Sequence, residues 1–131
     1  MKERAAEARA EAKSGKGAAK AQAELQDVLT KIAELPEPDR DLAARLHELI
    51  LAAAPELAPK TWYGMPAYAK GGTIVCFVQP ASKFKTRYST LGFNDSAALD
   101  DGSMWPTAYG ITALTAENEA AISALIARAA G

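Results

Sequence analysis

Apolar side chains recur with a helical period at both ends of the chain, and the middle has the texture of strands. Leu25, Val28, Leu29 and Ile32 stand at i, i+3, i+4 and i+7, one face of an amphipathic helix predicted over 18–35. Each such side chain, when fully buried, contributes roughly 1.5–3 kcal/mol. Pro36 and Pro38 end this helix, because the residue before a proline is pushed out of the helical region. Pro38 suits the first turn of a second helix, where Asp39 and Asp41 complement the positive N-terminal end. Leu42, Leu46, Leu49, Ile50 and Ala53 form its apolar face, and Pro55 and Pro59 stop it. The two helices are expected to form an antiparallel pair.

Between residues 66 and 79 the pattern changes. Two strands, 66–70 and 73–79, flank Gly71-Gly72, and paired glycines supply the positive φ values of a two-residue hairpin turn. Ile74 to Val78 is a continuous apolar run, the texture of a central strand covered on both faces. A third strand is predicted over 84–93. Asn94-Asp95 is placed as the cap of a short helical turn through Leu99, and Asp100-Asp101-Gly102 as a turn. A short last strand is predicted over 107–112. Thr115 is a good N-cap for a final helix in which Ile122, Leu125, Ile126 and Ala129 share a face. Helix, helix, strands, helix gives an α+β class: an antiparallel β-sheet with packed α-helices, an N-terminal helical pair and a C-terminal helix.

The first twenty residues stand apart. They are Ala, Glu, Lys and Arg almost throughout, favour helix and offer little to bury. Residues 1–20 therefore read as a solvated helical extension interrupted at Ser14, Gly15 and Gly17, with an oligomer contact as the less favoured reading. Glu3, Glu7 and Glu11 would form one acidic stripe along it. Residues 21–131 form the single domain that a chain of 131 residues leads one to expect.

Charge and composition then exclude several classes. Lys and Arg number 15 and Asp and Glu 16, for a net charge of −1, which argues against duplex nucleic-acid binding driven by bulk positive charge. One cysteine permits no intramolecular disulfide. The apolar run from Leu49 to Ala54 is far too short to span a bilayer. The charged N-terminus lacks the apolar core of a secretory signal. A cytoplasmic protein without a membrane partner is expected.

Four groups of residues invite a chemical reading. His47 and Cys76 are each alone of their kind, so no zinc-type cluster exists; His47 reads as a surface side chain and Cys76 as a small buried hydrophobe. Lys83, Lys85 and Arg87 alternate with Phe84, Thr86 and Tyr88, so that in an extended strand all three cations would point one way. They fit an anion-contacting ledge, a single-stranded nucleic-acid platform, which the negative net charge disfavours, or, the favoured reading, an edge strand protected by charge against aggregation. The third group is acidic: Glu3, Glu7 and Glu11 and the Asp100-Asp101 turn offer oxygen ligands for a hard cation, but read as solvated faces. The fourth group is aromatic. Trp62, Tyr63, Met65 and Tyr68 surround the Gly64 and Pro66 turn, and Trp105-Pro106 holds the other tryptophan. Polar-tipped rings of this kind line a pocket or a partner surface, or they rim the core.

The segment Tyr63-Gly64-Met65-Pro66-Ala67-Tyr68 resembles the signature of the YdhG-like bacterial family, a domain of unknown function. The resemblance extends through Cys76-Phe77, 83–88, 90–93, 99–102 and Met104 to Thr107, and covers the chain from about Ile32 to the final helix. It implies an α+β fold with helices on an antiparallel sheet. One branch of the family is described as frataxin-like iron chaperones supplying iron for iron–sulfur cluster or haem assembly. The resemblance thus implies iron as a cargo, for which Asp39, Asp41, Asp100 and Asp101 are the carboxylates to test.

Together these readings point to a non-enzymatic binding protein. Its expected surface is the concave side of the sheet, bounded by Trp62, Tyr63, Met65, Tyr68, Lys83, Lys85, Arg87 and Trp105, and its expected ligand a small anionic molecule or a protein partner. An iron carrier is the alternative. No nucleophile–base pair that would mark an enzyme is visible.

Overall fold

A computed structural model of the chain describes the backbone of residues 2–131 and the side chains from Gly17 onward. Helix α1 (Lys2–Ala33) is one continuous helix. The interruption expected at Ser14, Gly15 and Gly17 is absent: the backbone runs helically through all three. The proposed Glu3, Glu7 and Glu11 stripe falls outside the described side chains. On the apolar face Val28 and Ile32 are buried, Leu25 is half-buried and Leu29 is exposed, so the buried stripe is narrower than its spacing suggested.

Helix α2 (Asp39–Ala53) starts one residue later than expected. Proline offers no side-chain acceptor, and the Glu37 carboxylate takes over the capping role by accepting from Asp41 N at 3.0 Å. Leu46, Leu49 and Ile50 are buried along its inner face. The two N-terminal helices touch, yet each has its main neighbour elsewhere: α1 lies on the first two strands and α2 on the last helix.

Five strands follow as an antiparallel meander, β1 (Ala58–Trp62), β2 (Met65–Lys70), β3 (Thr73–Gln79), β4 (Ser89–Phe93) and β5 (Ala108–Ile111), adjacent in space in chain order. Strand β1 was not predicted. It carries Pro59, which a sheet tolerates on an edge strand, and β1 is the edge. Two hairpin turns match in kind. Gly71 and Gly72 both have positive φ, as predicted, and so do Tyr63 (52°) and Gly64 (72°) between the paired residues Trp62 and Met65.

The strand expected over 84–93 begins only at Ser89. Pro80 ends β3, and residues Ala81–Phe84 form a one-turn helix, α3, closed by Lys85 in the left-handed region at φ 55°. Side chains have captured the backbone donors that a ladder would need. Ala81 N donates to Ser89 Oγ at 3.0 Å and Ser82 N to Asp39 Oδ2 at 2.7 Å. After β4, Ala97 N donates to Asn94 O in a turn rather than opening a helix. Helix α4 (Ala116–Ala130) is capped by Thr115, whose hydroxyl accepts from Asn118 N at 3.1 Å.

All the long helices cover one face of the sheet. Val28, Ile32, Leu46, Ile50, Ile122 and Ile126 join Tyr68, Cys76, Val78, Leu91, Phe93 and Ile111 in one core. The α+β class, the N-terminal helical pair and the C-terminal helix are as predicted. Among the described residues no helix is long and apolar enough to cross a membrane.

Candidate functional site

Strand alternation assigns every sheet residue to a face. Pairing of Tyr68 with Cys76, and of Cys76 with Phe93, runs one row along the helix-covered side. The opposite row is Lys60, Ala67, Phe77, Gly92 and Ala108, and beside it stand Trp62, Met65, Gln79, Thr90 and Gly110. None of these joins the core shared with the helices. Met65 and Ala67, paired with Trp62 and Phe77, are nevertheless buried.

Aromatic rings pave this helix-free face. The Trp62 and Phe77 rings lie 5.3 Å apart, and the exposed Tyr63 ring lies 5.0 Å from Trp62. Phe77 reaches across to β4: a side chain on Gly92 would collide with the tip of its ring. Tyr88 reaches across to β5 in the same way, its ring atoms within 3.1–3.5 Å of where a Gly110 side chain would begin. Two glycines thus let two rings lie down over the neighbouring strand instead of standing out from it. At the β1 end, Lys60 and Trp62 line a shallow concavity of about 640 Å³, closed off by Gly72 to Ile74 and by Asn94 to Ser96.

The stretch of sequence that forms the first four strands carries positive charge only. From Leu57 to Asn94 the chain carries Lys60, Lys70, Lys83, Lys85 and Arg87 and not one carboxylate; all 16 Asp and Glu residues lie outside this stretch. Two of these cations are engaged with carbonyls, Lys70 with Ala130 O at 2.6 Å and Lys83 with Tyr63 O at 2.8 Å. Lys60, Lys85 and Arg87 belong to none of the four ion pairs among the described residues. The Arg87 guanidinium sits 5.4 Å from the Tyr88 ring centroid. Asp95 is the one acidic residue at the rim of the concavity.

The residues singled out from the sequence therefore divide. Trp62, Tyr63 and Lys83 come together at the β1–β2 turn, with Met65 buried beneath them. Tyr68 is on the wrong face, fully buried in the core. Trp105 packs against the core and lines a separate 290 Å³ cleft with Phe93, Asn94 and Asp100. Lys83, Lys85 and Arg87 are not a row along a strand, because the segment that carries them turns through α3. Phe77, Tyr88, Lys60, Gln79 and Thr90 belong to the face but not to the set of residues expected to bound it. Their sequence signal was the alternation in β3 and β4, together with glycines at 92 and 110 opposite the rings.

His47 is a further correction. It is half-buried, with Nδ1 2.9 Å from the Tyr68 hydroxyl, and burial holds its pKa below the usual value. Burial raises Tyr68 too, and pushes the Cys76 thiol up to about 12, so Cys76 is an inert core residue as expected.

The four aspartates do not converge. Asp39 is buried and bonded to Ser82 N, and it lines with Asp41 a 390 Å³ cavity between α2, α4 and the end of β5. Arg87 and the Arg45–Glu119 pair line the same cavity. Asp100 lines the Trp105 cleft instead. Among the described residues no group of three His, Cys, Asp or Glu side chains is placed to hold a metal ion. Comparison with protein-family models, curated proteins and solved structures finds no match to this chain.

Proposed function

We propose that this protein is a cytoplasmic, non-enzymatic binding module whose working surface is the helix-free face of its sheet. Its ligand is anionic and carries a flat apolar group. The observation that carries this reading is the coincidence of the aromatic pavement with the carboxylate-free stretch from Leu57 to Asn94. Rings lying flat offer area at low conformational cost, and unpaired cations beside them add directional attraction for negative charge. A single buried thiol suits a reducing compartment. The iron-carrier alternative finds no converging carboxylates among the described residues to support it.

A thermal-shift screen of phosphorylated and carboxylated metabolites tests the proposal. A hit whose stabilisation is lost in Lys60→Glu and Arg87→Glu, with both variants folded, supports it. A hit unaffected by both reversals removes it, as does an empty screen together with a failure to bind single-stranded oligonucleotide.

A further inference from the structure

We infer that the helix-free face binds single-stranded nucleic acid, stacking bases on Trp62, Phe77 and Tyr88; this rests on the binding surface proposed above and names its ligand. Three features of the face favour this occupant. The first is ring orientation. Phe77 and Tyr88 lie across Gly92 and Gly110, so they present π-faces rather than the upright apolar knobs that interdigitate with a protein core. Bases of any sequence stack on such platforms.

The second is the polar complement. Gln79 and Thr90 are directly paired across β3 and β4 and stand on this face between the Phe77 row and Tyr88. They are half-buried and supply donors and acceptors for base edges without adding charge. The third is charge. Lys60 flanks the rings at the β1 edge, and the Arg87 guanidinium lies 5.4 Å from the Tyr88 ring centroid, on the rim that it shares with the cavity lined by Asp39, Asp41 and Glu119. This is a local surplus on a chain of net charge −1, which suits a flexible strand laid over one face better than a rigid duplex. Five strands spaced by roughly 4.8 Å give the face a width that accommodates two or three bases.

Fluorescence anisotropy of a fluorescein-labelled twelve-nucleotide oligothymidylate, with the intact chain at 50 mM NaCl, tests the inference. We expect saturable binding, at least tenfold weaker binding of a duplex of equal length, and a log–log salt slope of about −1.4 for two cation contacts. Trp62→Leu and Tyr88→Leu keep apolar bulk without an aromatic face and should each weaken binding roughly tenfold, whereas Trp62→Phe should retain most of it. In a Trp105→Phe background the oligonucleotide should quench Trp62 emission. No oligonucleotide binding, equal affinity for the duplex, or affinity unchanged by both leucine variants overturns the inference. So does preferential binding of an acidic peptide or of anionic vesicles. If the metabolite screen yields a ligand sensitive to Lys60→Glu and Arg87→Glu while the oligonucleotide fails, the nucleic-acid assignment falls and the binding surface stands. Failure in both experiments removes both.

Discussion

The Phe77 ring occupies the space that a side chain on Gly92 would fill. The pair fixes the height of the aromatic pavement. Gly92→Ala forces the ring up from the sheet, towards Trp62 5.3 Å away. We expect a loss of about 1–3 kcal/mol in denaturant unfolding and a shift in Trp62 emission. In the double variant with Phe77→Ala the alanine should cost less than it does alone, because the clash is gone.

Tyr63 holds a left-handed backbone at φ 52° in the β1–β2 turn, although asparagine or glycine is the natural occupant of that position. Its ring is 78% exposed, so burial does not repay the strain. Tyr63→Asn should stabilise the fold by about 1 kcal/mol, measured by urea unfolding. If the tyrosine serves the binding face, the same variant loses affinity while gaining stability.

His47 gives the fold a pH dependence with a definite sign. Its folded pKa lies below the unfolded value near 6.5, so the unfolded chain takes up the proton first. The stability that comes from a neutral His47 is complete above about pH 6.5 and is lost as pH falls below it. Thermal midpoints between pH 5 and 8 should show this slope, and His47→Gln should flatten it. Tyr68→Phe should lower stability at pH 7 by about 1 kcal/mol, by removing the hydroxyl that faces Nδ1.

The Arg45 guanidinium meets Glu119 through Nε at 3.0 Å and Nη2 at 2.8 Å and ties α2 to α4. The hydrogen bond from Arg45 holds the Glu119 carboxyl below its usual range. Its contribution is therefore present above the unfolded carboxyl pKa and disappears as pH falls through the folded one. Glu119→Gln should lower the thermal midpoint at pH 7 and low salt, with the difference shrinking in 1 M NaCl because the pair is solvent-exposed.

Asp39 carries a structural bond that no sequence pattern announces. Asp39→Ala leaves Ser82 N without its acceptor and should destabilise the chain by about 1–3 kcal/mol. Amide exchange should rise first in 81–88, the segment this contact pins down.

Helix positions and the Gly71-Gly72 hairpin were legible because they rest on local chemistry: a 3.6-residue period, a capping threonine, paired positive-φ residues. The segment from Lys83 to Tyr88 was not. Its alternation of cations and aromatics satisfies a strand template, but its conformation is set by Asp39, 43 residues earlier, and by Ser89. Tyr68 shows the same limit for the site. It belongs to the motif that drew attention to Trp62 and Tyr63, yet a strand alternates its faces, and the residues of one motif were divided between core and surface. Strand β1 was hidden by its proline, and without it Trp62 had no assigned face.

Five cations and no carboxylate between positions 57 and 94 leave ten cations and sixteen carboxylates to the rest of the chain, so a nearly neutral molecule is unevenly charged along its sequence. It should be retained by cation- and anion-exchange resins alike near neutrality, through different stretches of the same chain.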